Sequence, residues 1–71
     1  MKKNGIGSLV QQTIDEKKMS IVELAEKSGL SAMTIRNVIN GKHKPNGFTI
    51  NSLASALGID FDELYESAKY V

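Results

Sequence analysis

The stretch Ile21-Val22-Glu23-Leu24-Ala25-Glu26-Lys27-Ser28-Gly29-Leu30-Ser31-Ala32-Met33-Thr34-Ile35-Arg36-Asn37-Val38-Ile39-Asn40 predicts two short helices joined by one glycine turn. Ser20 stands just before it and Glu23 three residues later, the spacing of a capping box in which each side chain satisfies a free N–H. Ala25 is small where a second helix must cross closely, and Gly29 suits the positive φ of a tight helix end. Ser31 then caps the second helix, whose Ile35 and Val38 share one face at i, i+3. The opposite face carries Ala32, Met33, Arg36 and Asn37.

Two helices in this arrangement form a helix-turn-helix, and the outer face of its second helix is the one that enters a DNA major groove. The charge distribution agrees. The net charge is only +1, yet every acidic residue lies at or before Glu26 or at or after Asp60. Between them stand Lys27, Arg36, Lys42 and Lys44, with His43 able to add partial charge, so the middle of the chain reads as a phosphate-facing surface. A chance fluctuation in a short chain is the competing reading of the charges alone.

Working outward, five helices are predicted. The first runs from about Ser8 to Lys17, with Leu9, Val10 and Ile14 inward and Lys17 and Lys18 near its negative end. Asn40-Gly41 closes the third, and Lys42-His43-Lys44-Pro45 forms an extended basic loop. Asn46 caps a fourth helix with the stripe Ile50, Leu53, Ala54 and Leu57, which Gly58 ends. Asp60 and Glu63 form a second capping-box pattern, for a fifth helix carrying Phe61, Leu64 and Tyr65. Neither period-2 alternation nor an internal repeat is present, so an all-α bundle follows.

Seventy-one residues predict one small domain over 1–71, ordered from about 6 to 67, with no room for a separate ligand-sensing domain. With 41% hydrophobic and 24% charged residues the chain has an ordinary soluble composition. Lys2 and Lys3 resemble the start of a signal peptide, but Gly5, Gly7, Ser8, Gln11 and Gln12 break the run that follows, so a cytoplasmic location is expected. Cysteine is absent, which excludes disulfides, thiolate metal sites and cysteine catalysis. His43 has no second histidine to share a metal, Asp60 and Glu63 are read as caps, and Asp62 and Glu66 as a solvated face. No catalytic residue, metal, cofactor, small-molecule ligand or membrane partner is expected.

These residues resemble the lambda-repressor/Cro-like (XRE-type) helix-turn-helix family from about Ile6 to Leu64. Met19 to Lys27 is similar to its first DNA-binding helix. Asn40-Gly41-Lys42 followed by Pro45 is similar to its post-recognition loop, and Leu53-Ala54-Ser55-Ala56-Leu57-Gly58-Ile59 with Asp62-Glu63-Leu64 to its last two helices. The family usually opens its first DNA-binding helix with a glutamine, here Ile21, so that phosphate contact passes to Ser20 and the helix amides. Many members pair a buried Arg with a Glu where this chain has Ile14 and Ile39, and the two isoleucines are expected to touch.

The resemblance implies a five-helix fold and a sequence-specific regulator of transcription that binds double-stranded DNA, with a repressor as the leading reading. Base contacts fall to Ser31, Ala32, Met33, Arg36 and Asn37. Arg36 can bond bidentately to guanine and Asn37 to adenine, whereas Ala32 and Met33 have only thymine methyls to pack on. Phosphate contacts fall to Ser20, Thr34, Asn40, Lys42, Lys44, Asn46, Gly47 and Phe48. One such module reads few base pairs, so a homodimer on a pseudo-palindrome is expected. Phe61, Tyr65, Tyr70 and Val71 offer apolar surface for it, unless Phe61 completes the core and the tail frays. An antitoxin that also binds a partner toxin is the alternative; a helix-turn-helix used only for protein contact is disfavoured by the basic loop.

Overall fold

The computed structural model describes residues 5–42 and 44–69 and the backbone of Tyr70; His43, Lys2, Lys3 and Val71, to which roles were given above, lie outside the described residues. Among them the chain forms α1 (Ile6–Lys17), α2 (Ile21–Ser28), α3 (Ala32–Ile39), α4 (Gly47–Leu57), α5 (Phe61–Ser67) and a closing 3-10 turn, Ala68–Tyr70, with no strand. The all-α reading and its helix order hold. α1 starts two residues earlier than expected, at Ile6, which is buried.

Local signals set most helix boundaries. Ser20 Oγ accepts from Glu23 N–H at 3.1 Å while a Glu23 carboxylate oxygen accepts from Ser20 N–H at 3.0 Å, completing the capping box of α2. Gly29 ends α2 at φ 76°. Ser31 caps α3 by accepting from Thr34 N–H at 3.1 Å, and Asn46 caps α4 by accepting from Thr49 N–H at 2.8 Å. The start of α5 departs from the expected box. Asp60 accepts from Asp62 N–H instead of Glu63 N–H, and Glu63 returns no bond, so this is a short Asx-type turn. α1 ends at Lys18, in the left-handed region at φ 55°, with Met19 N–H donating to Ile14 C=O at 2.8 Å.

Four of the eight residues of α3 (Thr34, Ile35, Val38 and Ile39) are β-branched, a composition with little helix preference of its own. So short a helix is held by its cap and by the core beneath it. Ile35 and Val38 are buried there with Ile6, Val10, Ile14, Leu24, Ile50, Leu53, Ala54, Leu57 and Leu64. Ala68 is buried too. Thr13, a buried polar residue, donates its hydroxyl to Leu9 C=O at 2.7 Å.

α1 crosses both α3 and α4, and α2 meets α3 and α4. At the α1–α3 crossing the backbones nearly touch: a Cβ on Gly7 would lie 2.5 Å from the carbonyl oxygen of Ile39 and 2.7 Å from that of Val38. Ile14 is in the core as expected. Ile39 is half-buried and packs against that core from its margin, where it shares a groove with Gly7, Ser8, Gln11 and Gln12 of α1.

Candidate nucleic-acid interface

The core fixes the rotation of α3. At about 100° per residue, Met33 and Asn37 lie about 160° from Ile35 on either side, diametrically away from the buried stripe. Met33 is 65% exposed. Arg36 is exposed, Asn37 and Ala32 are half-buried, and Ser31 is exposed at the start of the helix. Met33, Arg36 and Asn37 therefore share one outer sector, whereas Ala32, about 60° from Ile35, lies at the flank of the buried stripe and Ser31 stands at the cap.

Ser31 is more occupied than the sequence implied. Its hydroxyl caps the helix and lies 2.9 Å from the Thr34 hydroxyl, so one donates to the other and a single O–H is left between them. On the far side of Asn37 a cleft of about 340 Å³ is lined by Thr34, Asn37, Val38, Lys44, Pro45, Asn46 and Thr49. It brings a base-contact candidate, Asn37, to the phosphate-contact candidates Thr34, Lys44 and Asn46. Pro45 was read from the sequence only as part of the basic loop, and Thr49 was not singled out. Thr49 is visible there only as the acceptor's partner in the Asn46 cap, three residues on.

Of the phosphate-contact candidates, Thr34, Lys44 and Asn46 line that cleft, and Lys42, Gly47 and Phe48 stand within two residues of Lys44 or Asn46 along the chain. Asn40 caps the C-terminal end of α3, and Lys42 N–H donates to Asn37 C=O at 2.9 Å, turning the chain back over the helix. Lys42, Lys44, Asn46, Gly47 and Phe48 are all exposed. Asn46 satisfies Thr49 N–H and Ile50 N–H, which leaves Gly47 and Phe48 with N–H groups that have no partner inside the helix. Neither α3 nor α4 has an acidic residue in its first turn. Their positive helix ends thus stand uncompensated beside Lys44. Ser20 stands at the start of α2, where its hydroxyl is engaged in the capping box.

A family model described as helix-turn-helix matches residues 10–64, which span both DNA-binding helices and the start of α5. The chain belongs to the XRE-type helix-turn-helix family of DNA-binding transcription regulators. A curated relative, the HTH-type transcriptional repressor RghR of Bacillus subtilis (strain 168), is 36% identical over 66 residues, covering 92% of this chain and 49% of the relative. The chain thus spans about half the length of that relative. The fold is similar to a crystal structure of SinR, a master regulator for biofilm formation, in complex with DNA. The TM-score is 0.78 at 24% identity, over 84% of this chain and 97% of that one. No helix among the described residues is long and apolar enough to cross a membrane.

Proposed function

We propose that this chain is a sequence-specific double-stranded DNA-binding regulator of transcription, and that it represses by occupying an operator. The observation that carries the reading is the outward face of α3, where Met33, Arg36 and Asn37 stand opposite the core and beside an acid-free, lysine-bearing edge. α3 lies in the major groove, with Arg36 and Asn37 forming the hydrogen-bonded base contacts. Lys42, Lys44 and the amides opening α4 grip phosphates and set the register, without carrying sequence information.

The operator is pseudo-palindromic and is bound by two copies of the chain. What supports this is the exposed aromatic pair on α5, where the Phe61 and Tyr65 rings stack at 5.7 Å with their planes 19° apart. Phe61 is 39% exposed and Tyr65 48%, so neither completes the core.

Selection from random duplexes tests the reading: a motif of two inverted half-sites is the expected enrichment. Asn37→Ala should then cost roughly 1–3 kcal/mol on the selected site and relax preference at one position per half-site. Binding to random duplex should barely change, because phosphate contacts supply it. Enrichment of nothing, or full preference retained by both Asn37→Ala and Arg36→Ala, would defeat the proposal.

A further inference from the structure

Three Asn-Gly pairs occur in the chain: Asn4-Gly5, Asn40-Gly41 and Asn46-Gly47. Such a pair is intrinsically reactive. The backbone nitrogen of the glycine can attack the side-chain carbon Cγ of the asparagine, and a following residue without a Cβ obstructs that attack least. Asn4 lies outside the described residues. The other two pairs close α3 and open α4, and both asparagines are exposed. Their backbones differ. Asn40 is in the helical region at ψ −1°, and Gly41 N–H donates to Val38 C=O at 3.2 Å, so its nitrogen is engaged. Asn46 is extended at ψ 175°, and Gly47, the first residue of α4, has no helical acceptor for its N–H. The Asn46 side chain is also activated. Its Oδ1 accepts from Thr49 N–H at 2.8 Å, a bond that draws electron density from Cγ and steadies the negative charge that attack would place on that oxygen.

We propose that Asn46-Gly47 is a self-modification site through which the chain loses its grip on DNA with age. The Gly47 nitrogen bonds to Asn46 Cγ and gives up its proton, the side-chain amide leaves as ammonia, and a five-membered succinimide remains. Water then opens that ring at either carbonyl. The products are aspartate and its isomer isoaspartate, in which the main chain runs through the side-chain carbon. Either product replaces a neutral amide by a carboxylate and lowers the formal net charge of +1 by one unit. Asn46 and Lys44 together border two clefts at the start of α4. The new anion therefore sits beside the lysine and the open helix end that are proposed to hold phosphate, and it competes for both. The site itself rests on backbone geometry; its effect on DNA rests on the proposed function.

The test ages the chain for days in mildly alkaline buffer at physiological temperature, then maps its peptides by mass spectrometry, which reads each Asn-Gly pair separately. Conversion, a gain of about 1 Da, should appear at Asn46. It should run about tenfold faster there than at Asn40, the rate equivalent of first breaking one backbone hydrogen bond. In Gly47→Ala the added Cβ meets nothing within 4 Å, so fold and cap remain, but the methyl shields the nitrogen and conversion should fall severalfold. Affinity for a random-sequence duplex, read by fluorescence anisotropy, should drop about tenfold in the converted chain and in Asn46→Asp, and hold steady in aged Gly47→Ala. Asn46→Asp should melt at the unmodified temperature, because aspartate caps a helix as well as asparagine does. No conversion at Asn46, or conversion at Asn40 as fast, would overturn the site. Undiminished affinity in Asn46→Asp would overturn its effect on DNA. A fresh chain that binds no duplex would remove the proposed function and leave the site to be decided by the peptide map.

Discussion

α4 and α5 begin in similar ways and present opposite charges. Each follows an Asx cap, Asn46 or Asp60, whose side-chain oxygen accepts a backbone N–H of the first turn. Asn46 is neutral, and Gly47-Phe48-Thr49 adds no charge, so the partial positive end of α4 is open to an outside anion. Asp60 is an anion, and Asp62 and Glu63 follow within the first turn, so the corresponding end of α5 is already compensated. The cap residue alone does not distinguish an anion-facing helix from a purely structural one; the next three residues do.

Transplanting the acidic start of α5 onto α4 should have the largest effect. Phe48→Asp with Thr49→Glu places two carboxylates where DNA phosphates are proposed to lie, and binding to any duplex should fall about a hundredfold or more. Folding should survive. Phe48 is 72% exposed, the new acids suit the helix dipole, and Asn46 with a glutamate three residues on makes a capping box. Undiminished DNA affinity in a titration would show that α4 does not face the duplex.

The caps themselves give the next effect. Asn46→Ala and Asp60→Ala should each lower stability by about 1 kcal/mol, read as a shift in the thermal or urea midpoint. Only Asn46→Ala should also weaken binding by the folded fraction. Equal binding losses in the two variants would erase the distinction between the helices.

Smallest is the contrast between lysines. Lys44→Ala should flatten the slope of log K against log salt by roughly 0.9, as should Lys42→Ala, with base preference unchanged. Lys69, beyond α5, is ion-paired with Glu66 at 3.3 Å on the surface. Lys69→Ala should leave the slope untouched and alter stability by less than about 0.5 kcal/mol. An altered slope for Lys69→Ala would extend the phosphate-facing surface to the α5 side.

The features legible in the sequence were those encoded within four residues. Ser20 with Glu23, Ser31, Asn46, Gly29 and Gly58 each act on backbone close to themselves, and all lie where the sequence placed them. The outer sector of α3 was equally readable, because Ile35 and Val38 fix the buried direction and the rest follows from helix geometry. The misreadings have other causes. Asp60 had two N–H groups in reach, and the shorter turn to Asp62 won over the box with Glu63. Lys18 occupies a left-handed end that composition usually assigns to glycine or asparagine, so nothing local announced it. The cleft bordered by Pro45 and Thr49 depends on contacts between elements distant in sequence, which no local pattern specifies.

Gly7, which seemed in the sequence only to interrupt an apolar run, has a consequence for how such a reader can change over generations. Because α1 meets the rear of α3 backbone to backbone, with no side chain between Gly7 and the Ile39 carbonyl, the mounting of α3 is independent of what its outer face carries. Met33, Arg36 and Asn37 can be exchanged without refitting that joint, so new target sequences are reachable by single substitutions on an unaltered scaffold. Any side chain at position 7 would instead push the whole helix aside, and would shift every proposed base contact at once.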